Sequence, residues 1–133
     1  MATLVDSNVI LDVVTDDEEW QDWSSAMLSR AAEAQHLIIN PLIYAEVAVR
    51  FDSIDALDDV LPPDYFIREP LPWEAAFLAA RAFLLYRRRG GAKRAPLPDF
   101  YIGAHAAIAG HTLLTRDPRR YRTYFPKLQI IAP

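Results

Sequence analysis

Ala2-Thr3-Leu4-Val5-Asp6-Ser7-Asn8 decides the fold: a short apolar run breaks off at an acid, and a hydroxyl and an amide follow at once. The run reads as a buried strand ending at Asp6. Ser7 or Asn8 then caps a helix to about Val14. Working outward, the same alternation recurs. Leu37-Ile38-Ile39 is a second strand, and Asn40-Pro41 supplies a cap and a first-turn proline for a helix to about Phe51. A shorter helix spans Ile54 to Leu61 and stops at Pro62-Pro63. Tyr65-Phe66-Ile67 is a third strand, and a long helix runs from Trp73 to Arg89. Pro98 opens the next helix, which ends at Gly110, and Thr112 to Thr115 and Leu128 to Ile131 are the last two strands. Strands alternating with helices predict an α/β fold, a three-layer α/β/α sandwich around a five-stranded parallel sheet, with residues 1–133 as a single domain.

Between the first two strands, Asp16, Asp17, Glu18 and Glu19 are placed to stabilise the positive end of a helix with Trp20, Trp23, Met27 and Ala31 on one stripe. Trp73, Phe77, Ala80 and Leu84 form a second apolar stripe. Most of that surface is expected in the core, and any remainder suits a dimer interface or a partner helix.

Composition narrows the functional classes. The chain is 52% hydrophobic and 24% charged, ordinary for a globular protein, and no apolar run approaches the ~20 residues of a membrane span. Asp6 and Asp12 interrupt any signal-peptide pattern, so a cytoplasmic location is expected. With no cysteine there is neither a disulfide framework nor a thiolate zinc site. The net charge of −4 hides an asymmetry: residues 1–80 hold 16 acids and three bases, and residues 81–133 hold 11 bases and two acids. Those two acids are Asp99 and Asp117. Such segregation predicts a basic surface beside an acidic pocket.

Asp6 and Asp117 each follow a predicted parallel strand, where open α/β sheets bind ligands, although either taken alone reads better as a cap or turn residue. Glu46 is the only polar group in Leu42-Ile43-Tyr44-Ala45-Glu46-Val47-Ala48-Val49 and needs a cation. A bound metal and a salt bridge to Arg50 both answer that need. Asp99 lies in the first turn of a helix of small residues that pack closely. Four carboxylates brought together would repel unless a cation sat between them, and oxygen ligands suit Mg²⁺ or Mn²⁺. Such an ion activates water and stabilises a phosphate under attack. His36, His105 and His111 lack zinc-ligand spacing and read as structural or surface residues.

Asp6-Ser7-Asn8, Pro41 with Glu46, Leu97-Pro98-Asp99-Phe100 and Leu114-Thr115-Arg116-Asp117 match, in order and spacing, the four motif blocks of PIN domains. Within that family the chain resembles the ribonuclease toxins of VapBC toxin–antitoxin pairs, most closely from Leu97 to Pro133. The resemblance implies a Mg²⁺ or Mn²⁺ site at Asp6, Glu46, Asp99 and Asp117, supported by Asn8 and Thr115. It also implies RNA as substrate, a homodimer, and a VapB-type antitoxin that covers the site. Arg87, Arg88, Lys93, Arg94, Arg116, Arg119 and Arg120, near Asp99 or Asp117 in sequence, are candidate RNA contacts through phosphate. A loop from Gly90 to Pro96 is expected to be mobile and to help seat RNA. Two other readings stay open: a housekeeping PIN ribonuclease, and a non-catalytic acidic-pocket module resembling a receiver domain. Against the last, Asp6 has no acidic neighbour and the only late lysine is Lys127.

Overall fold

A computed structural model of the chain describes residues 2–91 and 97–133. Strand β1 (Ala2–Val5) leads into helix α1 (Ser7–Val14), followed by α2 (Gln21–Ala34), β2 (His36–Ile39), α3 (Pro41–Ala48), α4 (Ile54–Val60) and β3 (Phe66–Arg68). Helices α5 (Trp73–Arg88) and α6 (Leu97–Ala109) come next, then β4 (Thr112–Leu114), α7 (Arg119–Tyr124) and β5 (Ile130–Ile131). All four strand pairings are parallel, in the order β3-β2-β1-β4-β5. The expected α/β architecture with a five-stranded parallel sheet is therefore the observed one.

The two sides of β1 show the layering. Thr3 shares a cleft with Met27 and Ala31 of α2, and the next-door Ala2 shares one with Ala109 at the end of α6. Alternate residues of a strand point to opposite faces, so α2 and α6 cover opposite faces of the sheet. Leu4, Val5, Ile39, Leu113 and Leu114 are fully buried, as parallel strands covered on both faces must be. The strand order matters for the site. After β1 the chain builds β2 and β3 on one side, then crosses to build β4 and β5 on the other. The C-terminal ends of β1 and β4 flank this reversal, where a crevice opens.

Several boundaries differ from expectation. Asp6, not Ser7 or Asn8, caps α1, accepting the N–H of Ser7. Helix α2 starts past Trp20, because the Asp17 carboxylate ties down the N–H groups of Glu19 and Trp20 first. Helix α3 ends at Ala48 rather than near Phe51, and β3 is shifted by one residue. Helix α7 was not expected at all: it is short and basic, and only Tyr121 is buried. The apolar stripe on α5 is not core. Its buried side is Ala75, Ala79 and Ala82, while Trp73 is 89% and Phe77 64% exposed. Among the described residues no helix is long and apolar enough to cross a membrane.

Candidate active site

Asp6 leaves β1 at the sheet reversal and is buried. Its Oδ1 accepts the N–H of Ser7 at 2.8 Å, the α1 cap. Its Oδ2 accepts from Thr115 Oγ1 at 2.8 Å and from the Tyr121 hydroxyl at 2.9 Å. Burial nonetheless pushes the Asp6 carboxyl up to about 6, because removing a carboxylate from water costs more than these bonds return. Nearby Asp99 and Glu46 push it in the same direction. Tyr121, buried against this carboxylate, has its phenol pKa driven well above normal, first by burial and then by the charge of Asp6.

Glu46 stands half-buried on α3. Burial raises its pKa, opposed by Ser7 Oγ, which donates to Oε1 at 2.9 Å, while Asp99 adds to the rise. Of its two sequence readings, the Arg50 salt bridge has no counterpart among the ion pairs of the described residues. Asp99 sits in the first turn of α6. Burial raises its pKa, Arg120 holds it down, and Asp117 raises it further. The small residues of α6 permit this approach: a Cβ on Gly103 would stand 2.5 Å from the Phe125 ring. Asp117 is exposed at the rim, on a turn pinned by its own N–H donating to Thr115 Oγ1 at 3.2 Å. A chain of repulsion thus crosses four segments, from Asp117 to Asp99 and from Asp99 to Glu46 and Asp6.

Asn8 and Thr115 both bond to groups around Asp6. Thr115 joins Asp6 to the Asp117 turn, and Asn8 accepts the N–H of Arg116 at 3.2 Å while Nδ2 lies 3.4 Å from Thr115 Oγ1. Ser7 and Tyr121 were missed. No local pattern marks them, because their hydroxyls reach the acids only through the tertiary fold.

The arginines divide. Arg116 is not free for phosphate: its guanidinium grips buried Asp12 at 2.8 and 3.0 Å and lies over the Trp20 ring. Arg120 donates to Asp99 Oδ2 at 2.8 Å. Arg119 is exposed and shares with Asp117, Arg120 and Tyr86 a cleft of about 310 Å³. Arg87 and Arg88 are exposed at the end of α5, and Lys93, Arg94 and most of the Gly90–Pro96 loop lie outside the described residues. A larger apolar cleft, about 590 Å³ beside Leu78, Phe125 and Leu128, contains none of the four acids.

The donor set fits a hard divalent cation, since every candidate ligand is a carboxylate oxygen. The acids are more loosely spaced than a closed cage: among the described residues, the one group of three potential ligands within 4.8 Å of one another is Glu69, His105 and His111. Loose spacing suits Mg²⁺, which keeps several of its waters.

Chains of known structure share this fold. A chain of the VapBC2 complex from Rickettsia felis, solved bound to a promoter DNA fragment, superposes with TM-score 0.77 at 14% identity, covering 100% of this chain and 99% of that one. VapBC-1 from nontypeable Haemophilus influenzae gives TM-score 0.75 at 13% identity, covering 99% and 98%. FitAcB from Neisseria gonorrhoeae gives 0.69 at 18% identity, covering 97% and 96%. No curated protein matches significantly by sequence. The PIN domain profile matches residues 3–126, a span holding all four acids and the C-terminal ends of both strands that flank the reversal. The chain belongs to the PIN domain family.

Proposed function

We propose that this chain is a Mg²⁺- or Mn²⁺-dependent RNA endonuclease and the toxin of a VapBC-type toxin–antitoxin pair. The observation that carries the reading is the set of four carboxylates, from four separate segments of a PIN fold, coupled at the sheet reversal: Asp99 and Glu46 raise the pKa of Asp6, Asp99 raises that of Glu46, and Asp117 raises that of Asp99. A bound Mg²⁺ or Mn²⁺ supplies an acidified water and charge neutralisation at the phosphate. Asp6, Glu46, Asp99 and Asp117 are the ligands. Thr115 and Asn8 hold Asp6 and the Asp117 turn in place, and Ser7 fixes the Glu46 rotamer. Arg120 partners Asp99 and lines the cleft beside Asp117 with Arg119, so a phosphate entering there meets both guanidiniums. Arg87 and Arg88 extend the basic surface.

The exposed Trp73 and Phe77 favour a protein partner, whether a second copy or a VapB-type antitoxin. The cytoplasm, where target RNA and antitoxin meet, is its place of action.

The test is RNA cleavage by antitoxin-free protein with Mg²⁺ or Mn²⁺, with EDTA, and with Asp99→Asn. Discrete cuts that need both metal and Asp99 are expected, and full activity of the variant would refute the site. Induced expression separates a toxin, which arrests growth unless antitoxin is present, from a housekeeping ribonuclease.

A further inference from the structure

Glu69, His105 and His111 come from three places in the fold. Glu69 follows edge strand β3, where its N–H bonds Ile39. His105 stands inside α6, and His111 lies on the turn between α6 and β4. Both Nε2 atoms lie 2.8 Å from the same oxygen, Glu69 Oε1. The His105 side chain is fully buried and that of His111 is 11% exposed, while Glu69 at 33% faces solvent. An open cleft of about 400 Å³, walled by Ala2, Ile38, Ile67 and Ala109, reaches Glu69 and His111 from outside. Two imidazoles and one carboxylate are the protein half of an open four-coordinate zinc site. Nitrogen donors also favour zinc-like ions over Mg²⁺, so this cluster and the four acids suit different metals.

We propose that Glu69, His105 and His111 form a second metal site, binding Zn²⁺ or a similar divalent ion through Oε1 and the two Nε2 atoms, with water as the fourth ligand. Binding spreads the ligand atoms from 2.8 Å to roughly 3.3 Å, the separation of tetrahedral ligands about 2.0 Å from zinc. Each imidazole that binds metal through Nε2 carries its remaining proton on Nδ1.

Asn40 sets the condition for that proton at His105. Its Oδ1 accepts the N–H of Ile43 at 2.9 Å, so its Nδ2 faces His105 Nδ1 at 3.0 Å and directs the ring proton to Nε2, toward Glu69. Metal on Nε2 needs the proton on Nδ1, and the Asn40 amide must turn over to accept it, giving up its cap. An aspartate at position 40 accepts from Ile43 and from His105 together, without turning. The ion ties edge strand β3 to α6.

The test titrates metal-free, full-length protein with Co²⁺, followed by its visible spectrum, and then displaces it with Zn²⁺. One equivalent giving intense four-coordinate bands is expected. His111→Gln and Glu69→Gln, which keep a hydrogen-bonding side chain, should lose the bands with an unchanged circular dichroism spectrum. Asp99→Asn should keep them, and Asn40→Asp should tighten binding about tenfold. A folded wild type without the bands, or bands that survive His111→Gln, would end the proposal. Bands lost in Asp99→Asn but kept in His111→Gln would place the ion among the acids, also ending it. Unchanged or weaker binding by Asn40→Asp would overturn coordination through His105 Nε2.

Discussion

Two clusters share helix α6: Asp99 in its first turn belongs to the acids at the sheet reversal, and His105, less than two turns later, belongs with Glu69 and His111. Burial acts on both and disfavours the charged form in each, with opposite consequences for protons. It raises the Asp6, Glu46 and Asp99 carboxyls, so the acid cluster gathers protons and invites positive charge. It lowers His105, so the imidazole stays neutral and offers a lone pair. Glu69 too ends below its ordinary pKa: burial raises it, but the bonds from His111 and His105 outweigh that. One physical cause thus prepares one site for hard cations and the other for borderline ones.

The sharpest way to break the comparison is catalytic. Asp99→Asn should lower RNA cleavage by at least about 100-fold, because a direct ligand should cost no less than the upper range for its supporting residues. Glu69→Gln should leave cleavage nearly unchanged. Equal losses in the two variants would mean that the clusters act as one.

Next in size is pH. Asp6 binds its proton more tightly folded than unfolded, so stability is lost as pH rises from about 4 through about 6. The lowered His105 works the other way, losing stability as pH falls below its unfolded value of 6.5. In EDTA, Asp6 should cost up to about 3 kcal/mol across its window. The check is urea unfolding at pH 4 and pH 7 in wild type and Asp6→Asn, and an identical pH dependence in the two would refute the assignment. Millimolar Mg²⁺ at pH 7 should restore the stability lost by wild type.

Arg116→Ala tests which bases belong to the acid cluster. It strips the partner from buried Asp12 and should cost about 2 kcal/mol, a figure discounted for the partly exposed guanidinium. Arg119→Ala should leave stability alone and flatten the salt dependence of RNA binding by about one phosphate contact. The smallest effect is expected where neither cluster reaches: Trp73→Ser should change monomer stability by less than about 0.5 kcal/mol. A larger loss would mean that this face is covered in solution.

Much of the fold was readable because parallel strands buried on both faces leave dense apolar runs, and the acids end or follow them. The alternation around Leu4, Ile38 and Leu113 is of this kind. Helix α7 escaped because its sequence, Arg119-Arg120-Tyr121-Arg122-Thr123-Tyr124, has no apolar stripe and no capping side chain, and it is held by Tyr121 and Phe125 packing beneath α6. Asn8 and Thr115 were singled out only through family motifs. Tyr121, and the diversion of Arg116 to Asp12, depend on side chains more than 100 residues apart meeting in space. The exposure of Trp73 and Phe77 misled for a related reason: a helix with alanines on its inner side can dock by those alone. Glu69 had no signal, being one acid among many until the fold carried it to two imidazoles.

The strand order has a consequence for synthesis. β1 and β4 are neighbours, so the segment that ends at Asp6 must wait for one near residue 114 before the crevice holding Asp6 and Thr115 can close. Pairings so distant along the chain form slowly and late. While the chain emerges from the ribosome, β1 with α1 to α6 lacks Thr115, Asp117 and Tyr121, and the acid cluster is incomplete. The cluster of acids proposed as the active site is therefore assembled only after the segment that carries β4 and α7 has been made.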